Sequence, residues 1–183
     1  MIVVGIDEVG RGSIAGPVVA AAVVLGKNKI SFLKDSKKLS HKQRIFLSNE
    51  IKEKCIEFSV GVVSSKKIDD INIRQASLLA MRKSLNKIKT KDLQVIVDGR
   101  DKIETFYPCK ALVKADGYIK EGMAASIIAK VYRDELMENL HKRHPKYFFN
   151  LHKGYATKKH IDALESFGAL KEHRKTFAPV KYI

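Results

Sequence analysis

Apolar and polar positions alternate in short blocks at the start of the chain and fall at helical spacing further on. Ile2–Ile6 and Pro17–Leu25 are apolar, strand-like runs joined by a Gly-rich turn, and Pro17 suits the first residue of a strand. Ser40 reads as the N-cap of a helix reaching about Lys54, with Ile45, Ile51 and Cys55 toward one face. Ile56–Val63 predicts a third strand, and Asn72–Ile88 a helix with Ile73, Ala76, Leu79 and Ala80 on its apolar side. Leu93–Val97 is a short strand ending in Asp98–Gly99, and Lys110–Val113 another ending near Asp116. Gly122–His141 is Ala-rich and helical up to the break at Pro145, with Met123, Met137 and Leu140 as core positions. Thr157 caps a last helix through Phe167, with Ile161 and Leu164 inward and Gly168 as its stop. Early strands and later helices predict an α/β fold, a mixed sheet with helices packed on it.

With 183 residues, the chain is long enough for one domain with a substantial core and hardly for two. No repeat or Gly/Ser/Pro-rich linker divides it. No apolar run approaches 18 residues, and the opening MIVVGI runs into charged DEVGR without the features of a signal peptide. A cytoplasmic protein with no membrane span is therefore expected. Cys55 and Cys109 lack CxxC spacing and read as reduced packing residues. The 35 Lys and Arg exceed the 20 Asp and Glu, giving a net charge of +15. That excess fits either a solvated basic surface or a polyanionic partner such as nucleic acid.

Against this basic background, the acids at strand ends stand out. Asp7 and Glu8 follow the first strand, Asp98 a later one, and Asp116 comes shortly after a third. Acids at the ends of neighbouring buried strands converge on one sheet edge, where α/β folds commonly place their sites. Two carboxylates about 4 Å apart repel by roughly 4 kcal/mol at an effective dielectric of 20, so convergence calls for protons or a cation. Hard oxygen ligands hold Mg²⁺ or Mn²⁺, the ions of two-metal phosphodiester hydrolysis. Asp98–Gly99 and Asp116–Gly117 are equally the chemistry of plain turns. Strand alternation also sends Asp7 and Glu8 to opposite faces unless it lapses at the strand end.

Gly10-Arg11-Gly12-Ser13-Ile14-Ala15-Gly16 is neither a Walker A loop nor a dinucleotide fingerprint, since no Gly-Lys-Ser/Thr follows and the next segment is a strand. The turn brings bare backbone close to a ligand, or it is simply a tight hairpin connection. His141, His144 and His152 lack the companions of a zinc site.

Taken in order, the blocks GIDEVGRGSIAGPVVAAAVV, DSKKLS (Asp35–Ser40), VDG (Val97–Gly99), VKADGYIKEGMAASIIAKVYRDELM, HKGYATKKH and HRKTFAPVK resemble ribonuclease HII, the type 2 ribonuclease H of bacteria and archaea. They span nearly the whole chain. The resemblance implies a single ribonuclease H-like domain over 1–183, its C-terminal part helical from about 140. It implies metal-binding, catalytic carboxylates at Asp7, Glu8, Asp98 and Asp116. It further implies contact of Gly10, Arg11 and Gly12 with a ribonucleotide 2′-OH, and packing of Tyr155 on the sugar of the following deoxynucleotide. The implied substrates are RNA–DNA hybrids and ribonucleotide-containing duplex DNA, and the implied products carry 3′-hydroxyl and 5′-phosphate ends. Lys37, Lys38, Lys114, Lys130, Arg133 and Lys153 are candidates for holding phosphates; of these, Lys37 and Lys153 are the leading ones. Ser13 stands where the family often has Pro, and Ala115-Asp116-Gly117 where it often has Gly-Asp-Ser, so local loop shape is in question. No sliding-clamp-binding peptide follows the last block, and a monomer is expected. A non-catalytic nucleic-acid binder and a different metal-dependent nuclease or phosphotransferase are the competing readings. Neither accounts for both the four acids and the glycine turn.

Overall fold

A computed structural model describes residues 1–27, 30 and 39–183. Its frame is set by β1 (Ile2–Val9) and β2 (Val18–Val24), an antiparallel pair joined through the glycine turn. Every residue of β2 is buried, which is why that strand reads as a continuous apolar run with no polar face. α1 (His41–Lys54) leads into β3 (Glu57–Val63), antiparallel to β2. After α2 (Ser65–Ile71) and α3 (Ile73–Leu85), β4 (Leu93–Asp98) returns parallel to β1, and β5 (Cys109–Leu112) lies parallel to β4. The sheet order is β3-β2-β1-β4-β5.

Alternation along the strands divides the core. Val4 and Ile6, Val18, Ala20 and Ala22, and Val95 and Val97 form one apolar layer with Ala76, Ala80 and Met81 of α3. Ala21 and Val23 face the other way, onto Leu47 and Ile51 of α1 and the Met123–Ala129 stretch of α4 (Lys120–Arg143). α4 lies tight against the sheet because position 5 has no side chain: a Cβ on Gly5 would sit 2.2 Å from the Glu121 carbonyl carbon. The C-terminal part is mostly helical, with α5 (Phe149–His152) and α6 (Lys158–Phe167). There Met137 and Leu140 of α4 pack with Tyr147, Phe149, Ala163 and, from the glycine turn, Ala15.

Local chemistry explains most boundaries. Ser40 and Gln43 form a reciprocal capping box at α1, and the Thr157 side chain accepts from the His160 N–H at α6. Gly168 ends α6 with φ at +76°. Four expectations change. β1 continues through Asp7 and Glu8 to Val9, held by unbroken pairing with β2. α2 was not foreseen; it is one short helix capped by Ser64 and stopped at Asn72, which then caps α3. On α1, Ile45 is exposed, and Leu47 and Ile51, four residues apart, take the core positions. On α3, Met81 and Leu85 fill the core more fully than Ile73 and Leu79. Cys55 and Cys109 are free thiols. Among the described residues, no helix is long and apolar enough to cross a membrane.

The contact at Gly5 predicts a sharp contrast between two glycines. Gly5→Ala must push α4 off the sheet and lower the unfolding free energy by at least about 1–3 kcal/mol. Gly117→Ser, where an added Cβ meets nothing within 4 Å, changes it by no more than about 0.5 kcal/mol. Denaturant titration of the two variants checks both.

Candidate active site

Parallel pairing of β1 with β4 brings their C-terminal ends together, and with them Asp7 and Asp98. Both sit on the α4 side of the sheet, opposite to the core-facing Ile6 and Val97. Asp116 comes from a 3₁₀ turn, Ala115–Gly117, that precedes α4. Asp98 helps place it, because its Oδ1 accepts the Ala115 N–H at 2.7 Å. One carboxylate oxygen from each of Asp7, Asp98 and Asp116 lies within 4.8 Å of the others. Asp7 and Asp116 are buried, Asp98 half-buried.

Glu8 is not in that trio. Since pairing continues past it, regular alternation turns its side chain away, and its carboxylate meets Arg11 Nη1 at 3.3 Å. The distance to the trio is still short enough to be felt. Burial raises the Asp7 carboxyl well above its ordinary pKa, the Glu8 and Asp98 charges raise it further, and the Ser126 hydroxyl opposes them. Burial also raises Glu8, against the pull of Arg11.

The turn from Gly10 to Pro17 is held by two fully buried arginines, Arg133 and Arg174. Arg133 donates to the carbonyls of Pro17 (2.9 Å), Ala15 (3.2 Å) and Lys153 (2.8 Å) and to Ser13 Oγ (2.9 Å). Arg174 donates to the carbonyls of Gly10 (2.6 Å), Arg11 (2.9 Å) and Gly16 (3.0 and 3.1 Å). Burial pulls Arg174 down to about 9, with Arg133 nearby adding to the effect, so it stays charged at neutral pH. Gly10 has φ at +93°, and a Cβ there would lie 2.1 Å from Arg133 Nε, so the turn cannot carry a side chain at that point. Ser13, one departure from the family pattern, supplies an acceptor that Pro lacks. At the other departure, Gly117 borders open space, which leaves room for the usual Ser.

Tyr155 lies beside this turn. Its ring stands over the Arg133 guanidinium at 5.7 Å, and a Cβ on Gly12 would be 3.9 Å from its Cε1. Its backbone is fixed by buried histidines. His173 Nδ1 accepts the Leu170 N–H, so its Nε2 carries the proton and donates to His160 Nε2 at 3.1 Å. His160 Nδ1–H then donates to the Tyr155 carbonyl at 2.9 Å. Burial brings both histidines down to about 4, in keeping with two neutral rings.

The candidate phosphate-holding residues fare differently. Lys37 and Lys38 lie outside the described residues. Arg133 is withdrawn from that set, being wholly buried and spent on the turn. Lys130 pairs with Asp134 at 2.7 Å, and the Lys153 ammonium is held by Glu138 and the Asn150 carbonyl. Lys114 is exposed, next to the turn that carries Asp116. Sequence reasoning missed Arg174, His160 and His173 as site-building residues. One signal was readable: Arg133 sits four residues from both Ala129 and Met137 on a buried helix face, where an arginine has to be meeting internal acceptors.

Such a trio fits a divalent cation. Three carboxylates of one sign, two of them buried, offer a hard oxygen set whose mutual repulsion a cation relieves. A family model described as Ribonuclease HII matches residues 4–181. The chain belongs to the ribonuclease HII family. It is thus a ribonuclease H, an endonuclease of RNA–DNA hybrids. Among its relatives, ribonuclease HII of Vibrio parahaemolyticus is 47% identical over 181 residues, covering 98% of this chain and 86% of that one. Of solved structures, ribonuclease H2 from Pyrococcus horikoshii matches with a TM-score of 0.85 at 26% identity, covering 100% of this chain and 96% of that one. Ribonuclease HII of Archaeoglobus fulgidus, solved as a complex with PCNA, matches with a TM-score of 0.82 at 28% identity, covering 97% and 95%. The mixed sheet is therefore ribonuclease H-like, as the resemblance implied.

The raised Asp7 carboxyl has a consequence for stability. Between the ordinary value of 3.8 and its higher native value, the folded chain holds more protons than the unfolded one. Stability is therefore lost as pH rises through that window and stays lower above it. In chelator at neutral pH, Asp7→Asn is expected to melt higher than the parent, by ~2–4 °C for each ~1 kcal/mol of repulsion removed. The gap should close toward pH 4. Melting curves across pH check this; an unchanged gap contradicts it.

Proposed function

We propose that this ribonuclease cuts the RNA strand of RNA–DNA hybrids and, in duplex DNA, cuts on the 5′ side of an embedded ribonucleotide, leaving 3′-hydroxyl and 5′-phosphate ends. Removal of misincorporated ribonucleotides and of RNA primers is the corresponding role. The observation that carries this reading is the adjacency, at the end of one strand, of the aspartate trio and a glycine turn clamped from beneath. A protein that only bound nucleic acid would gain nothing from buried carboxylates where phosphates approach.

Asp7, Asp98 and Asp116 would hold two Mg²⁺ or Mn²⁺ ions, with Glu8 swinging from Arg11 to complete the set. When bound, the pair supplies an activated water and neutralises charge on the phosphate and the leaving oxygen. The chain's own residues do the rest. Gly10, Arg11 and Gly12 offer backbone to the 2′-OH, the group that distinguishes RNA from DNA, without reading bases. Tyr155 packs its half-exposed ring on the sugar that follows. Lys114, exposed beside the turn that carries Asp116, meets the polyanion directly; Lys37 stays a phosphate-holding candidate on the resemblance alone, and Lys153 contributes through the shape of its loop. The net charge of +15 provides sequence-independent affinity for the duplex. Residues 1–183 act as one unit on this reading, since Arg174 near one end holds the turn near the other.

A duplex with a single ribonucleotide, with and without chelator, is the direct test. Cleavage at the 5′ side of the ribonucleotide, stopped by chelator, is expected, with the all-DNA duplex intact. Asp7→Asn is expected to lose about three orders of magnitude in rate, about 4 kcal/mol, while hybrid binding measured in chelator persists; retained turnover rules out its ligand role. Tyr155→Ala is expected to slow cutting at the lone ribonucleotide about tenfold, about 1.4 kcal/mol. Single-turnover rates at that junction report it, and an unchanged rate removes Tyr155 from recognition.

A further inference from the structure

We propose that Arg174 is a positioning residue for ribose discrimination, because it turns the Gly10 and Arg11 carbonyls inward and so aims the N–H groups of Arg11 and Gly12 at the cleft. The inference rests on the proposed reading of the glycine turn and adds the part that orients it. Nη2 of Arg174 binds the Gly10 carbonyl at 2.6 Å and Nη1 the Arg11 carbonyl at 2.9 Å. Both peptide bonds are trans. In a planar trans peptide, the C=O of one residue and the N–H of the next point in opposite directions. Drawing those two carbonyls onto a guanidinium with no solvent exposure therefore sends the next two N–H groups outward. Arg11 and Gly12 are exposed, and among the described residues no acceptor meets either N–H.

Two successive N–H groups facing one way form a concavity for a single oxygen. A ribose 2′-hydroxyl supplies that oxygen. A deoxyribose leaves both donors desolvated and unmatched, the kind of penalty by which a site rejects an analogue lacking one hydroxyl. The surroundings keep this orientation from inverting. The third contact of Arg174, to Gly16, and the Gly16 N–H to Glu172 carbonyl bond (2.8 Å) tie down the far side of the turn. The Arg174 N–H donates to the Ile14 carbonyl at 2.8 Å, so backbone and side chain of one residue grip both arms. Arg133 holds Ser13, Ala15 and Pro17 from the α4 side. An ammonium at position 174 keeps the charge but cannot span three carbonyls as a planar fork does.

Arg174→Lys is the test. Dissociation constants for a singly ribo-substituted duplex and for the matching all-DNA duplex are measured in chelator, and their ratio is compared with the parent's. The expected result is a ratio reduced at least tenfold through weaker binding of the ribo duplex, with the all-DNA constant within twofold. In metal, KM should rise more than kcat falls. A merely structural role would lower the folded fraction and weaken both duplexes together, leaving the ratio as it was, and that result overturns the proposal. Where the parent itself neither cuts nor prefers the ribo duplex, the reading of the function falls first, and this inference with it. Should the variant not fold, amide exchange on the parent decides: Arg11 and Gly12 amides protected by the ribo duplex and not by the all-DNA duplex support the orientation, and equal exchange overturns it.

Discussion

Like charges held together against their repulsion are the constraint on which the molecule turns. Asp7 and Asp98 meet because β1 and β4 are parallel neighbours, so each strand delivers an aspartate to the same edge. That pairing is driven by apolar layers on both faces, and the driving force exceeds the repulsion. The third acid depends on the other two elements of the frame. α4 reaches its position only over the bare backbone of Gly5, and the turn before it is anchored by Asp98 itself. The carboxylate that is repelled also supplies the hydrogen bond that fixes its neighbour's place. A site of this kind lowers stability where it raises function, and the surrounding core makes up the difference.

A second concentration of charge, of opposite sign, lies beneath the glycine turn. Among the described residues, Arg133 and Arg174 are buried without an ion pair; they are satisfied by neutral carbonyls and one hydroxyl. Moving a guanidinium out of water is costly unless its donors are met. The turn meets them with carbonyls drawn inward, and it loses its freedom in doing so. What is irregular in φ/ψ, with Gly10 and Gly16 both at positive φ, is thus rigid in space. The buried His173–His160 relay does the same for the backbone of Tyr155. Tyr155 and the turn share Arg133 as a common support, so they keep their mutual distance.

Much of this was legible from the residues, and the rest was hidden for physical reasons. Caps are local chemistry, so Ser40, Thr157 and Gly168 marked helix ends correctly. The fully apolar β2 and the acids after strands could be read because burial on both faces and convergence at an edge leave one-dimensional traces. The end of β1 could not: strand pairing is decided by a partner, and β2 extends β1 through two acidic residues that propensity would exclude. Hence the alternation that separates Asp7 from Glu8, noted as a difficulty in the sequence, persists in the fold. Arg133 was misjudged because a charged residue is usually a surface residue. Its acceptors lie 20 to 120 positions away, beyond any periodic pattern. The histidine relay escaped for the same reason, since its members are spread over Leu170, His173, His160 and Tyr155.

On the proposed reading, recognition and chemistry share a strand end, and this has a geometric meaning. From Asp7 to Gly12 is five residues, at most about 18 Å of chain even if fully extended. On the proposed reading, the distance between a sensed 2′-hydroxyl and the phosphate to be cut is therefore set by one short stretch of backbone. No hinge or domain interface intervenes to blur it. The Glu8–Arg11 pair lies inside that stretch, and on the same reading it would link the two functions electrostatically. A substrate that drew Arg11 toward a phosphate would release Glu8 toward the trio, so correct placement of the ribose and completion of the acid set would become one event. Because the stretch is so short, the turn must be stiff: an error of 1 Å at Gly12 would move the hydroxyl by the same amount relative to the carboxylates. Two buried arginines, expensive to desolvate and binding nothing but the chain itself, are a reasonable physical means to that stiffness.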